Sequence, residues 1–137
     1  MRHNILVLVL LLLVFYSCIN SVEDCNSHSF EVTATAYNSL AYQTSSNPHI
    51  TAFGDSLKPG LRYIAVSRDL LDSGLVHNTK VTIEGFDSLF IVKDKMNKRW
   101  RKRIDIYMGL DVKKAKKWGK KKVNIEFCIQ PKDSISN

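Results

Sequence analysis

Asp94 and Asp105 have the residue type and the spacing that acid–base chemistry needs. Asp94 follows an apolar run (89–92), so we expect it at the end of a strand, where side chains leave the sheet and can meet a ligand. Asp105 lies between Ile104 and Ile106, and isoleucines that face the core would put Asp105 on the other side of its strand. A turn between the two strands would bring the carboxylates face to face. One of them would then keep its proton towards neutral pH and could act as a general acid.

A structural role competes with this chemistry for Asp94. The aspartate has basic neighbours in Lys93, Lys95 and Arg103, and a surface ion pair with one of them would contribute about 0 to 1 kcal/mol. Three other aspartates are interpreted as turn or helix-cap residues: Asp69, Asp72 and Asp111.

The hydrophobic pattern predicts the elements that position the two aspartates. Short apolar, β-branched or alternating runs predict six strands, at residues 30–37, 62–66, 79–84, 89–92, 103–107 and 123–129. Residues 68–71 could form a helical turn. Residues 111–118 show helical spacing, with Asp111 at or near the N-cap and Gly119 after the end. We therefore expect a mainly β fold, a small barrel of about six strands with one short C-terminal helix.

The polar stretch 38–60 separates the first two strands. Its length is unusual for a connection in a compact domain, and its many Ser, Thr and Asn side chains are able to bind a sugar. Such a stretch is either functional or disordered, and we expect this one to be functional.

The N-terminus is typical of an exported protein. Arg2 precedes an apolar run (5–16) that contains no acid, and the small residue Ser17 precedes Cys18. Residues 1–17 are interpreted as a signal peptide and 18–29 as a tether, followed by one domain (30–130) and a flexible tail (131–137). Cys18 is predicted to be the lipidated first residue of a bacterial lipoprotein, which would hold the protein at the membrane. The alternative is a soluble secreted chain that is cut nearby.

Two of the three cysteines, Cys25 and Cys128, remain for a disulfide in an oxidising compartment. No Cys or His stands at ligand spacing near either of them, so a disulfide is favoured over a metal site.

The formal charge of +7 is concentrated in residues 91–122. A solvated surface is the ordinary role of such a run, and attraction to an anionic polymer is the functional one. Trp100, between Arg99 and Arg101, is poorly placed for a core and could stack on a sugar. An exported chain rarely meets nucleic acid, so we expect none as a partner, and we expect a monomer.

Most of the mature chain resembles a known family. The matching pieces are TAY at 35–37, QT at 43–44, ITAFG at 50–54, IAV at 64–66, NTKV at 78–81, VKD at 92–94, RIDIY at 103–107 and AKKWG at 115–119. Their order and spacing resemble the 3D (three-aspartate) domain, a double-psi β-barrel module of bacterial cell-wall proteins. That module is similar to the catalytic barrel of MltA-type lytic transglycosylases. The family's first aspartate would follow Val66, where this chain has Ser67; Asp69 and Asp55 are possible substitutes.

The resemblance implies an exported, cell-envelope or periplasmic protein that acts on the glycan strands of peptidoglycan without a cofactor. Asp94 would be the single acid and base that cleaves the bond between MurNAc and GlcNAc, and Asp105 would orient and tune it. Thr35, Tyr37 and Lys93 are candidates for holding the sugar. The alternative function is a non-catalytic, peptidoglycan-binding lipoprotein.

Overall fold

The computed structural model describes residues 25–40 and 47–129. Six strands form a closed barrel, as the sequence predicts. Their bounds are β1 (Asn26–Tyr37), β2 (Tyr63–Val66), β3 (Lys80–Ile83), β4 (Phe90–Lys95), β5 (Arg103–Tyr107) and β6 (Lys121–Ile129). Two short helices accompany them, α1 (Arg68–Asp72) and α2 (Val112–Trp118). Within the described ranges, no helix has the length and hydropathy needed to cross a membrane.

The strands follow one another around the barrel in the order β1-β5-β2-β4-β3-β6. The pairs β1–β5 and β2–β4 are parallel, and the other four pairs are antiparallel. Because β6 pairs with β1, the sheet closes on itself and each of the six described strands has a neighbour on both sides. In this order β2 lies between β4 and β5, the two strands that carry the aspartates.

Alternate side chains of the strands fill one interior core. The buried members from the strands are Val32, Ala34, Ile64, Val66, Val81, Ile83, Phe90, Val92, Ile104, Ile106, Val123, Ile125 and Phe127. Burying one large side chain of this kind stabilises the fold by about 1.5–3 kcal/mol. Ile104 and Ile106 are among them, so Asp105 faces away from the core, as the alternation predicts.

The first strand is longer than the sequence predicts. It begins at Asn26 rather than at residue 30, so the prediction of a tether is wrong for residues 26–29. These polar residues pair with the end of β6, where Asn26 lies opposite Ile129. Backbone hydrogen bonds to β6 hold this end of the strand, and they do not depend on the apolar pattern used for prediction.

The helices correct one prediction and confirm another. The helical turn considered at 68–71 is helix α1, so the described part of the domain has two helices where the sequence predicts one. In α2 the Asp111 carboxylate accepts a hydrogen bond of 2.9 Å from the Lys114 amide, and Gly119 ends the helix. These are the N-cap and the stop that the sequence predicts.

A disulfide joins Cys25, just before β1, to Cys128 in β6. This is the pairing that the cysteine count predicts. The two residues are 103 positions apart, and closing a loop of that size stabilises the fold by about 4–5 kcal/mol in the chain-entropy model. The predicted signal peptide (1–17), the predicted lipidation site Cys18, the first part of the tether and the tail (131–137) lie outside the described residues.

Candidate functional site

Asp94 and Asp105 lie in one row of residues that crosses four strands. Ala65 of β2 is paired on one side with Asp94 of β4 and on the other with Asp105 of β5. Asp105 is paired in turn with Thr35 of β1. Paired residues of neighbouring strands share a face of the sheet, so these four side chains lie together outside the core.

A bulge in β4 brings Asp94 into this row. Ile64 is paired with Val92, whereas the next residue of β2, Ala65, is paired with Asp94, so Lys93 is an extra residue in β4. Such an insertion shifts the register by one residue. The shift determines which side chains of β4 face the core and which face away from it. The sequence predicts that the strand ends with the apolar run at residue 92 and that Asp94 stands at this end. The structure continues β4 to Lys95, because pairing resumes beyond the bulge, so Asp94 lies one residue before the end of the strand.

The sequence predicts that the two aspartates lie face to face on neighbouring strands. The structure does not place them so. The strand order puts β2 between them, and neighbouring strands are about 4.8 Å apart, so their backbones are separated by about 10 Å. The carboxylates are still coupled, because the negative charge of Asp94 contributes to raising the pKa of Asp105. The two carboxylates therefore interact through their charges.

Asp105 is the more strongly perturbed of the two. Burial raises the pKa of its carboxyl to about 6, with a smaller contribution from Asp94. A hydrogen bond of 2.9 Å from the Thr35 hydroxyl and the charge of Arg103 act in the opposite direction. A carboxyl with a pKa of about 6 exchanges its proton close to neutral pH, which is the property of a general acid or of a residue that tunes one.

Asp94 has two chemically different oxygens. Its Oδ1 accepts hydrogen bonds from the backbone amides of Ala52, at 2.7 Å, and Lys95, at 2.8 Å. Within the described part of the chain, no hydrogen bond reaches its Oδ2 and no basic side chain forms an ion pair with the carboxylate. The predicted surface ion pair is therefore not formed there.

Burial raises the pKa of Asp94 above its ordinary value, although the two amide hydrogen bonds favour the ionised form. The carboxyl lines a pocket of about 280 Å³ whose other walls come from Tyr37 and from residues of the loop 47–57. Asp94 thus combines a fixed oxygen, access to a pocket and a perturbed proton affinity.

Tyr37 lines the same pocket. Its hydroxyl oxygen is buried and has no hydrogen-bond partner among the described residues. Burial, with the charges of Asp94 and Asp105, raises the pKa of this hydroxyl well above its usual range, so it keeps its proton at neutral pH. A buried donor without a partner costs roughly 1–3 kcal/mol.

Lys93 forms an ion pair with Asp55, one of the two possible substitutes for the first aspartate of the family. Its ammonium donates to Asp55 Oδ1 at 2.7 Å, and Asp55 Oδ2 lies 2.6 Å from the Nε2 of His77. The hydrogen bond from Lys93, followed by that of His77, holds the pKa of Asp55 below its usual range. Lys93, predicted to hold the sugar, is therefore already engaged in an ion pair.

Trp100 lies beside the row rather than in a core. Its ring has the guanidinium of Arg103 at 4.0 Å and that of Arg99 at 4.8 Å from the centroid. The Nε of Arg103 also donates to the Thr35 hydroxyl at 3.3 Å. Trp100 thus supports the arginine that supports Thr35, and a sugar that stacked on the indole would have to compete with two guanidinium groups.

Ser67 has a structural role where the resemblance leads one to expect an aspartate. It is fully buried, and its hydroxyl accepts a hydrogen bond of 3.0 Å from the Arg103 amide. Burial would raise the pKa of Asp69, but hydrogen bonds from the Lys102 amide and Ser67 outweigh it and lower the pKa. Of the two substitutes considered, Asp55 is the one whose charge acts on Asp94, since it contributes to raising the pKa of that carboxyl.

Among residues 25–40 and 47–129, no group of three or more His, Cys, Asp and Glu side chains is placed to hold a metal ion. Sequence reasoning missed two members of the site, the Ala52 amide and the His77 ring. Neither has a local signal, because each acts on a residue more than twenty positions away.

No protein-family model matches the chain, and a search of curated proteins finds no match either.

Proposed function

We propose that this protein is a peptidoglycan lytic transglycosylase in which Asp94 is the acid and base. The observation that supports this most strongly is the row of Asp94, Ala65, Asp105 and Thr35, which holds two carboxyls of raised pKa, one of which, Asp94, lines a pocket. The family resemblance of the sequence gives the substrate class.

In this mechanism Asp94 begins protonated. Its Oδ2 donates the proton to the glycosidic oxygen between MurNAc and GlcNAc as the bond from that oxygen to C1 of MurNAc breaks. The C6 hydroxyl oxygen of the same MurNAc then forms a bond to C1, and Asp94 takes the hydroxyl proton. The products are a 1,6-anhydro sugar and a new GlcNAc hydroxyl, and Asp94 is protonated again. No water attacks, so a second carboxylate placed for an attacking water is not required.

The neighbouring residues have supporting roles. The amides of Ala52 and Lys95 fix Oδ1, which leaves Oδ2 as the oxygen that donates the proton. Asp105, held by Thr35, places a second titrating carboxyl close to Asp94, and when Asp105 is ionised, repulsion between like charges favours the protonated form of Asp94 that the mechanism requires. Tyr37 is proposed to contact the sugar in the pocket that it lines together with Asp94.

The type of product tests this function. Purified murein would be incubated with the protein. The released fragments would then be treated with borohydride, and their masses measured by mass spectrometry. A transglycosylase leaves 1,6-anhydro ends that borohydride cannot reduce. Reducing ends would identify a hydrolase and contradict the mechanism, and a lack of fragments would favour the second candidate.

A non-catalytic wall-binding module is that second candidate. It is favoured by Ser67, whose burial and hydrogen bond to Arg103 are structural and replace a family carboxylate. The basic surface would then attract acidic wall polymer. This candidate predicts that murein retains the protein without turnover, that salt weakens the retention, and that Asp94→Asn does not change it.

A further inference from the structure

We propose that Asp55 is a positioning residue that holds the turn 51–55 against β4 and so fixes Asp94 through the Ala52 amide. Asp55 is bound at both oxygens: Lys93 reaches Oδ1 at 2.7 Å and His77 reaches Oδ2 at 2.6 Å. Lys93 belongs to β4, and His77 belongs to the connection between α1 and β3. One carboxylate thus ties a loop to two separate parts of the barrel.

The turn behind Asp55 is internally connected, so its residues move together. The Thr51 amide donates to the Asp55 carbonyl at 2.9 Å, and the Asp55 amide donates to the Thr51 hydroxyl at 3.0 Å. The Gly54 amide donates to the Thr51 carbonyl at 2.9 Å, and Gly54 has a φ of 90°, which favours glycine. Ala52 lies inside this closed unit. A displacement of Asp55 would therefore displace the Ala52 amide.

The Ala52 amide is one of the two donors that fix Asp94. Its hydrogen bond to Oδ1 measures 2.7 Å and is the contact that the loop makes with the carboxylate. The other donor, the Lys95 amide, is part of β4 and does not depend on the loop. Releasing the turn would leave Oδ1 with one donor and would let the carboxyl rotate away from the pocket.

The Asp55 contacts are sheltered enough to act as an anchor. The side chains of Lys93 and Asp55 are 16% and 21% exposed, whereas those of the surface pair Lys122–Glu31 are 63% and 62% exposed. Partly buried ion pairs are screened less by solvent and salt than exposed ones. Phe53 supports the same contact, since its ring lies 4.7 Å from that of His77.

Hydrogen exchange of single amides tests the proposal without any assay of activity. Asp55→Asn keeps the size of the side chain and removes its charge, and Glu31→Gln removes the charge of the exposed pair as the matched control. We expect exchange of the Ala52 amide to become at least about tenfold faster in Asp55→Asn, the effect of losing a charged hydrogen bond. The Ser67 amide, which donates to Arg103 inside the barrel, should exchange as before.

Two results would overturn the proposal. Unchanged exchange at Ala52 would show that Asp55 does not hold the turn. Equal acceleration at Ala52 and Ser67 would show a loss of overall stability instead of a local release. Glu31→Gln should change neither amide.

The catalytic consequence rests on the proposed function and is measured separately. If the protein releases anhydro products, Asp55→Asn should lower kcat about tenfold with little change in KM, because Asp94 is misplaced while the sugar contacts remain. Asp55→Glu should restore part of kcat. A change in KM alone would contradict positioning of Asp94. If the wild type releases no product, the exchange result still decides whether Asp55 holds the turn.

Discussion

Asp94 of β4 and Asp105 of β5 lie on opposite sides of one residue, Ala65 of β2, and each is its register partner. The side chain between them is a single methyl group. The strand spacing keeps the carboxylates from a direct bond, while burial raises the pKa of both. The row therefore holds two acids of raised pKa with one small residue between them.

The Thr35 hydroxyl should control the protonation of Asp105. Its hydrogen bond lowers the pKa of that carboxyl, so Thr35→Val should raise the pKa further above about 6. Carboxyl carbon chemical shifts followed by NMR between pH 3 and 9 would report it. Thr82→Val is the matched control, since Thr82 bonds to the Glu126 carbonyl on another part of the barrel. A lower pKa in Thr35→Val would contradict the assignment of the hydroxyl as donor.

Asp105 should make the protein less stable as the pH rises. Its pKa is about 6 in the folded protein against an ordinary value of 3.8, so below about pH 4 it is protonated in both the folded and the unfolded state and has no effect. Between pH 4 and 6 the unfolded chain loses the proton first, which favours unfolding by up to roughly 3 kcal/mol above pH 6.

Asp105→Asn should therefore be more stable than the wild type above pH 6 and equal to it below pH 4. Urea denaturation at several pH values, with the disulfide intact, measures the difference. A constant difference between the two proteins at all pH values would show that the charge of Asp105 does not oppose folding.

Reduction of the disulfide should destabilise the barrel. It joins residues 103 positions apart, so replacing Cys25 and Cys128 by alanine should lower the free energy of unfolding by about 4–5 kcal/mol. Urea denaturation of the oxidised wild type and of the double variant measures this. A reductant should lower the stability of the wild type and leave the variant unchanged. Equal stability of the two oxidised samples would show that the unfolded chain is not constrained by this loop.

The strands could largely be predicted because their apolar alternation is local. The clearest case is β5, where Ile104 and Ile106 alternate with polar residues and the predicted bounds are those of the structure. The same alternation correctly predicts that Asp105 faces away from the core. The predicted end of β4 at residue 92 is wrong. The bulge at Lys93 depends on pairing with β2, which the local hydrophobic pattern does not show.

The assembly of the site could not be predicted from local pattern. Placing Asp94 beside Ala65 requires the order of strands around the barrel, which depends on closure of the whole sheet. The contacts of Asp55 with Lys93 and His77 span 38 and 22 positions, and a hydrogen bond of Asp94 to Ala52 spans 42. Such pairs are fixed by the path of the loop and not by neighbouring residues.

Two substitutions compared in one assay test whether Asp94 is the acid and base. Asp94→Asn removes the proton that is proposed to be transferred and keeps the size of the side chain. Asp111→Asn makes the same change at the N-cap of α2, where asparagine caps as well as aspartate. The measurement is the rate at which purified murein releases 1,6-anhydro-muropeptides. We expect a loss of about a hundredfold or more in Asp94→Asn, the ordinary contribution of a general acid, and an unchanged rate in Asp111→Asn. Release at the wild-type rate by Asp94→Asn would contradict the role of Asp94 as the acid and base.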